Sequence, residues 1–351
     1  MTKSHLKIAA IVILYLCATL QFIRFYTVST VFYLNLPAYL SGHERLPFQE
    51  RILPIFFLKL FYGSGFLGRF ANHTKGAFTP ERAGLFVISF VSLIVAGIFA
   101  QLLYKRLTRL GSLQFLVFPA FLFAAMWSYT IHVEANFSYP YDFLSLAFFT
   151  AGVYFIYTRQ FLYLVIVMFL GTLNRETTLF LIGIYILDAA STNLSSPTGS
   201  IRDRFSFTSV PWLRVTLLLF VWCSIKWTLA HIFAHNDASE NYVRLGENVG
   251  RLTPRLWPAL LNVCGFLLPA ILLFSRGIYP LRFRNYLWIL PVWFATAFYT
   301  GVIVETRIYG ELCALTAIGL VLIAERNVET NVVACALDDV RSKPVTLKDA
   351  A

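Results

Sequence analysis

Residues 161–188 read FLYLVIVMFLGTLNRETTLFLIGIYILD. Two apolar arms flank a polar knot, Asn174-Arg175-Glu176-Thr177-Thr178. Each arm is about 12 residues, or about 18 Å of helix at ~1.5 Å per residue. One continuous helix would carry Arg175 and Glu176 to the middle of a bilayer, at a cost of at least ~2.5 kcal/mol per charge. A hairpin of two short helices instead puts the knot near one membrane face or in a water-filled cavity. Two readings of the knot stand. Arg175 and Glu176 pair and hold helices together, or they mark a site, as intramembrane ionisable residues commonly do.

The rest of the chain agrees with a membrane setting. Of 351 residues, 58% are hydrophobic and only 13% charged, more apolar surface than a soluble domain has use for. Apolar runs recur along nearly the whole length, which argues for one membrane domain, residues 1–325, followed by a polar cytoplasmic tail, 326–351. The expected fold class is all-α: a polytopic integral membrane helical bundle of about ten membrane segments, the hairpin included. The first run, from Leu6, is too long for a signal peptide and reads as a retained helix. A long outer loop, 29–83, follows, and its apolar patch Ile55 to Tyr62 is too short to span and reads as interfacial. The net charge of +11 is assigned to basic inner loops and anionic lipid rather than to nucleic acid. The five cysteines are scattered and form no CxxC or Cys/His spacing, so neither zinc nor a disulfide framework is implied.

Charge distribution selects the hairpin. With the N-terminus inside, the basic residues at 105–109, 159, 202–214, 276–284 and the tail all fall inside only if 161–188 crosses an even number of times. That assignment gives 16 inside Lys and Arg against 5 in the outer turns after the first loop, as the positive-inside rule requires. A single crossing turns 276–284 outward. The expected localisation is therefore a plasma (inner) membrane, multi-pass, with both termini cytoplasmic. Glu44, Glu50, Glu134, Arg175, Glu176, Glu305 and Arg307 then share the outer face.

Carboxylates beside arginines at the mouth of a helix bundle suit transfer from a lipid-linked phosphate donor. A carboxylate can take the proton of an acceptor hydroxyl. Arginines can hold the phosphate and the charge it gains on leaving. Glu44 and Glu50 are the candidate bases. Arg51, Arg175 and Arg307 are candidate phosphate ligands, with Glu176 and Glu305 beside them as substrate-binding residues. Each also has a plain reading, as a solvated loop charge or a structural ion pair. His43 and His132 read as capping or water-facing, no helical His/Glu spacing supports a metal, and no cofactor is implied; a divalent metal requirement stays open. Lys226, between Trp222 and Trp227, snorkels or makes a cation–π contact.

The layout resembles the GT-C class of polytopic glycosyltransferases, which use polyprenyl-phosphate sugars outside the membrane. The likeness lies in Gly42, Pro47-Phe48, Arg51 and Leu53-Pro54 closing a long first outer loop. It lies also in the paired short helices around Leu173-Asn174-Arg175-Glu176-Thr177 and in the late Glu305-Thr306-Arg307. The resemblance implies a lipid-linked sugar donor, a glycan or lipid acceptor and membrane lipid as partners, in cell-envelope polysaccharide assembly. Such enzymes carry an acidic residue early in the first outer loop. Here none precedes Glu44. Glu44, flanked by His43 and Arg45 after the flexible Gly42, lies nearer that position and is favoured as base, with Glu50–Arg51 ordering the loop. The competing classes are a transporter or flippase of lipid-linked glycans, to which an interrupted helix is also suited, and a non-catalytic membrane scaffold.

Overall fold

Helices follow the apolar runs and end at their breakers. The computed structural model describes residues 3–73, 79–108, 111–131, 137–191, 204–236, 239–240, 242–253 and 257–342. Helix α1 (Lys3–Ser29) leads into the first loop, where α2 (Leu36–Ser41), α3 (Leu53–Gly63) and α4 (Phe66–His73) fold as short helices. The long α5 (Pro80–Leu107) starts at Thr79, whose hydroxyl accepts the Arg82 N–H at 3.4 Å, with Pro80 in the first turn. Then come α6 (Gln114–Thr130), α7 (Asp142–Tyr157), α8 (Phe161–Asn174) and α9 (Leu179–Ala190). The remainder is α10 (Trp212–Ile232), α11 (Leu245–Arg251), α12 (Trp257–Leu261), α13 (Leu267–Leu273), α14 (Leu281–Asn285), α15 (Leu290–Thr300) and α16 (Cys313–Ser342). The sheet content is slight: Val31–Phe32 pairs in parallel with Phe137–Ser138.

Among the described residues, four helical stretches are long and apolar enough to cross a membrane: His5–Ser29, Pro80–Leu107, Trp212–Ile232 and Thr306–Thr330. Shorter apolar helices, α6, α7 and α8 among them, fill the space between. α1 and α10 sit at the periphery, only 17% of their most apolar windows buried, and present Leu, Ile and Phe side chains outward. A surface so apolar fits hydrocarbon, not water.

The helices run alternately between two ends of the bundle. At one end Tyr26 of α1 meets Asp142 at the start of α7, and Asn174 at the end of α8 meets Tyr141. At the other, Thr108 beyond α5 meets Glu325 in α16. The 257–273 stretch lies along α16, with Cys264 beside Cys313 and Gly277 against Ile323. The α8–α9 pair is a hairpin, as the sequence predicts. Arg175 is extended (φ −162°, ψ 143°), and the Thr178 hydroxyl donates to its carbonyl at 2.5 Å. The arms touch at Gly171, where a Cβ would stand 2.7 Å from Thr178 Cγ2.

Three boundaries differ from the sequence reading. α16 runs past Ala324 to Ser342, where a polar tail was expected from 326. No Gly or Pro interrupts 320–343, so the helix has no cause to stop. The mainly apolar run 256–274 does not form one helix but is broken, with Cys264, Gly265 and Phe266 all left-handed (φ 54°, 67° and 64°). The first loop, expected to carry one interfacial helix, carries three; α2 is capped by the Asn35 side chain and ends at the left-handed Gly42.

Candidate functional site

The α8–α9 knot sits at the end of the bundle where the first loop, the start of α7 and the 305–312 turn converge. Asn174, fully buried, fixes it there: its side-chain amide donates to Tyr141 O at 3.1 Å and to Ser145 Oγ at 2.8 Å. Beside the knot lies a cavity of about 920 Å³.

The charged lining comes from segments distant in sequence. Arg51, Arg175, Lys226, Arg244 and Arg307 supply the cations, and Glu50, Asp142, Glu176, Glu240 and Glu305 the anions. Arg51 Nη2 bonds Glu176 Oε1 at 2.8 Å and its guanidinium lies over the Tyr141 ring at 4.2 Å. Arg307 bonds Glu305 at 2.5 Å, lies 3.9 Å from Asp142 and stacks over Tyr139 at 4.0 Å. Arg175 Nη1 lies 3.2 Å from Glu311 and 4.0 Å from Asp142. Lys226 on α10 pairs with Glu50. Trp222, one turn earlier, donates to Glu176 O at 3.1 Å. Apolar and aromatic side chains, including Phe48, Phe180, Trp293, Ala297 and Val304, complete the wall.

Asp142 stands between two of the three arginines. It is 1% exposed and takes a hydrogen bond from Tyr26 OH at 3.1 Å. Among the described residues, its Oδ1, the Nε atoms of Arg51, Arg175 and Arg307, Arg307 Nη1 and Tyr141 OH have no hydrogen-bond partner. Buried donors left unmatched cost free energy unless a ligand or water meets them. Arg51, Arg307 and Tyr141 are among the residues that line the cavity, while these unmatched atoms are themselves buried.

Electrostatics separate the carboxylates. Burial works against ionisation of Glu176, but Arg51, then Lys226 and Arg175, override it and hold the carboxyl down at about 2. A carboxylate so weakly basic is a poor proton acceptor at neutral pH and serves as the counter-ion of Arg51. Arg51 itself is pushed above its ordinary value: burial opposes its charge, and Glu176, Tyr141 and Asp142 together outweigh burial.

Of the residues singled out from sequence, Glu50, Arg51, Arg175, Glu176, Glu305 and Arg307 all line this cavity. Glu44 does not. It is 5% exposed, with Oε2 accepting the Asn35 N–H at 2.8 Å and Oε1 the Arg45 N–H at 3.2 Å. Its own N–H donates to the Gln49 side chain at 2.9 Å. These bonds knit the loop rather than offer a base. Glu134 and His132 lie outside the described residues. Sequence reasoning passed over Asp142 and Glu311. The signal for Glu311 was present: it is the single acidic residue between Glu305 and Glu325, an ionisable group in an apolar run. No group of three or more His, Cys, Asp or Glu arranged to hold a metal occurs among the described residues.

Comparison with protein-family models, with curated proteins and with solved structures returned no match for this chain.

Proposed function

We propose that this chain is a membrane glycosyltransferase that moves a sugar from a polyprenyl-phosphate donor to a cell-envelope acceptor on the outer side of the membrane. In this reading about ten helical segments cross the bilayer. The termini are cytoplasmic, as the basic loops prefer, and the cavity opens outward. The observation that carries the proposal is the cavity itself, where guanidiniums of Arg51, Arg175 and Arg307 gather beside the carboxylate of Glu50 and an apolar wall. The apolar wall suits an isoprenoid chain, and the half-buried Trp222 in the lining suits a sugar ring.

The chemistry follows from those roles. Glu50 accepts the proton of the acceptor hydroxyl as its oxygen attacks the anomeric carbon. The bond from that carbon to the phosphate oxygen breaks, and the polyprenyl phosphate leaves with the electron pair. The guanidiniums of Arg51, Arg175 and Arg307, all in the cavity lining, stabilise the charge it gains. Asp142 holds Arg175 and Arg307 in place from behind, and Glu176 orders Arg51. Lys226 orients Glu50. Glu44 belongs to the loop that carries Glu50, not to the reaction.

Purified protein given polyprenyl-phosphate sugars and a panel of glycan and lipid acceptors should release polyprenyl phosphate. Folded protein that releases none across a broad panel of donors and acceptors would overturn the proposal.

A further inference from the structure

The cavity has a second polar wall, built by a strap of chain between α10 and α15. Residues 239–240 and 242–251 are tied down at two places. At the first loop, Glu240 N–H donates to Leu46 O at 2.8 Å, beside a bridge between Leu46 and Ser239. Just before it, the Asn236 side chain donates to Gly42 O at 3.2 Å and to Glu44 O at 2.6 Å. At the end of α15, Arg244 N–H donates to Tyr299 O at 2.9 Å. The fully buried Asn248 holds the turn that follows α15. Its side chain donates to Phe298 O at 2.7 Å and Gly301 O at 2.8 Å, and accepts the Ile303 N–H at 3.1 Å. The strap so held brings Glu240, Tyr242 and Arg244 into the cavity lining.

The two charges it carries there are each paired. Glu240 Oε1 meets Arg45 Nη1 at 3.0 Å, and Arg244 Nη1 meets Glu247 Oε2 at 3.3 Å. Arg45 also stands 3.6 Å from Glu44. Tyr33 OH donates to the same Glu240 Oε1 at 3.1 Å. Among the described residues both contacts of the Glu240 carboxylate fall on that one oxygen, so Oε2 keeps its acceptor capacity. The Glu240 side chain is 29% exposed. Tyr242 is 48% exposed, with the Arg244 guanidinium over its ring at 4.1 Å. One guanidinium covers one face of a ring, and among the described residues no second ring stacks on Tyr242.

These features select a class of ligand. An ionic group binding here would have to break an existing ion pair. A carboxylate oxygen with acceptor capacity beside an exposed aromatic ring instead suits a neutral ligand that combines hydroxyl donors with a C–H face, which is a sugar ring. The wall that holds Arg51, Arg175 and Arg307 differs, because it carries the cations a phosphate needs.

We propose that Glu240 and Tyr242 bind a neutral saccharide, and that the acceptor is accordingly a glycan hydroxyl rather than the hydroxyl of a lipid. The second clause rests on the transfer reaction proposed above; the binding of saccharide does not. Glu240 accepts hydrogen bonds from ring hydroxyls, and Tyr242 stacks on the ring face. The first loop links this wall to the base, since Leu46, which holds Glu240, stands in the same short stretch as Glu50.

The test measures binding of a panel of short neutral oligosaccharides to the full chain in lipid nanodiscs, free of sugar-headed detergent. Oligosaccharides of uronic acids and short neutral peptides are compared. Neutral saccharide should bind more tightly than either. Glu240→Gln should weaken it about tenfold and Tyr242→Ala about fivefold, while Tyr242→Phe stays within about twofold of wild type. Tyr242 is exposed, so its variants keep the test open if Glu240→Gln fails to fold. Arg45→Gln breaks the same half-exposed ion pair and should change binding less than about twofold. Equal loss in Arg45→Gln and Glu240→Gln would reduce Glu240 to a tie of the strap and overturn its role. Absence of binding across the neutral panel, binding that survives both Glu240→Gln and Tyr242→Ala, or a uronic acid or peptide that binds as tightly would overturn the site. In turnover, the same two variants should raise the KM for a glycan acceptor with donor affinity unchanged, and a long-chain alcohol that outcompetes the glycan would overturn the acceptor. Saccharide binding with the expected variant losses, but no release of polyprenyl phosphate, would confirm the site and refute the transfer reaction alone.

Discussion

Arg51 and Arg175 are both buried arginines paired with glutamates, yet their loss should read differently. Glu311, the partner of Arg175, is 1% exposed, whereas the Glu176 side chain is 37% exposed. Arg175→Ala strands a carboxylate with no route to water, which costs ~3–5 kcal/mol. Folded yield and thermal stability should fall sharply. Arg51→Gln leaves Glu176 able to rehydrate, so folded yield should hold while donor affinity drops. Equal stability loss in the two variants, compared by thermal unfolding in detergent, would contradict this. Glu176 also sets a pH dependence. Its carboxyl is held at about 2 against an ordinary 4.5. A depressed acid stabilises the fold fully above the ordinary value and loses that contribution as pH falls toward the depressed one. The stability gap between wild type and Glu176→Gln should stay flat from about pH 5 to 8. It should close as pH falls through about 4 toward 2. A gap that widens on acidification would refute the pairing. These residues were legible in the sequence to unequal degrees. Arg175 and Glu176 announced themselves as charges inside an apolar stretch. Asp142 did not, because its importance rests on Tyr26, 116 positions earlier, and on Arg307 far downstream. The place of Glu44, outside the cavity lining, was hidden for the converse reason. An acidic loop residue looks the same in sequence whether its oxygens are free or, as here, spent on backbone N–H groups.

At the scale of elements, the hairpin was readable because its physical cause is local. Two arms too short to span, joined by charges too costly to bury in lipid, admit few folds. How tightly the arms close was not readable, since that depends on Gly171 meeting Thr178. Gly171→Ala should destabilise the protein by ~1–3 kcal/mol through overpacking. Thr178→Ser removes the clashing methyl and should restore most of the loss in the double variant. Neutrality of Gly171→Ala in thermal unfolding would show that the arms part freely. The first loop was less legible. α2 depends on a single Asn35 cap and a terminal Gly42, weak signals within a mixed polar and apolar stretch. The break at 264–266 had its signals in the sequence, Asn262, Gly265 and Pro269, set within a run whose apolar composition speaks for burial but not for backbone direction.

For the whole molecule, the two ends of the bundle differ in kind. One holds mixed charges around a cavity; at the other, Arg282 pairs with Asp188 and Glu325 accepts from Thr108 and Ser112. A cysteine at Thr177, which lines the cavity, should react with a membrane-impermeant thiol reagent added from outside, in a background lacking the native cysteines. Labelling from the cytoplasmic side alone would invert the orientation. The central claim, that the cavity transfers a sugar with Glu50 as base, is tested most directly by turnover. Wild type, Glu50→Gln and Glu44→Gln are compared at matched folded concentration, following polyprenyl phosphate release from a polyprenyl-phosphate sugar. The account predicts that Glu50→Gln loses at least about 100-fold in rate with donor binding retained. It predicts that Glu44→Gln loses stability but turns over at near the wild-type rate per folded molecule. Full turnover by Glu50→Gln would contradict it.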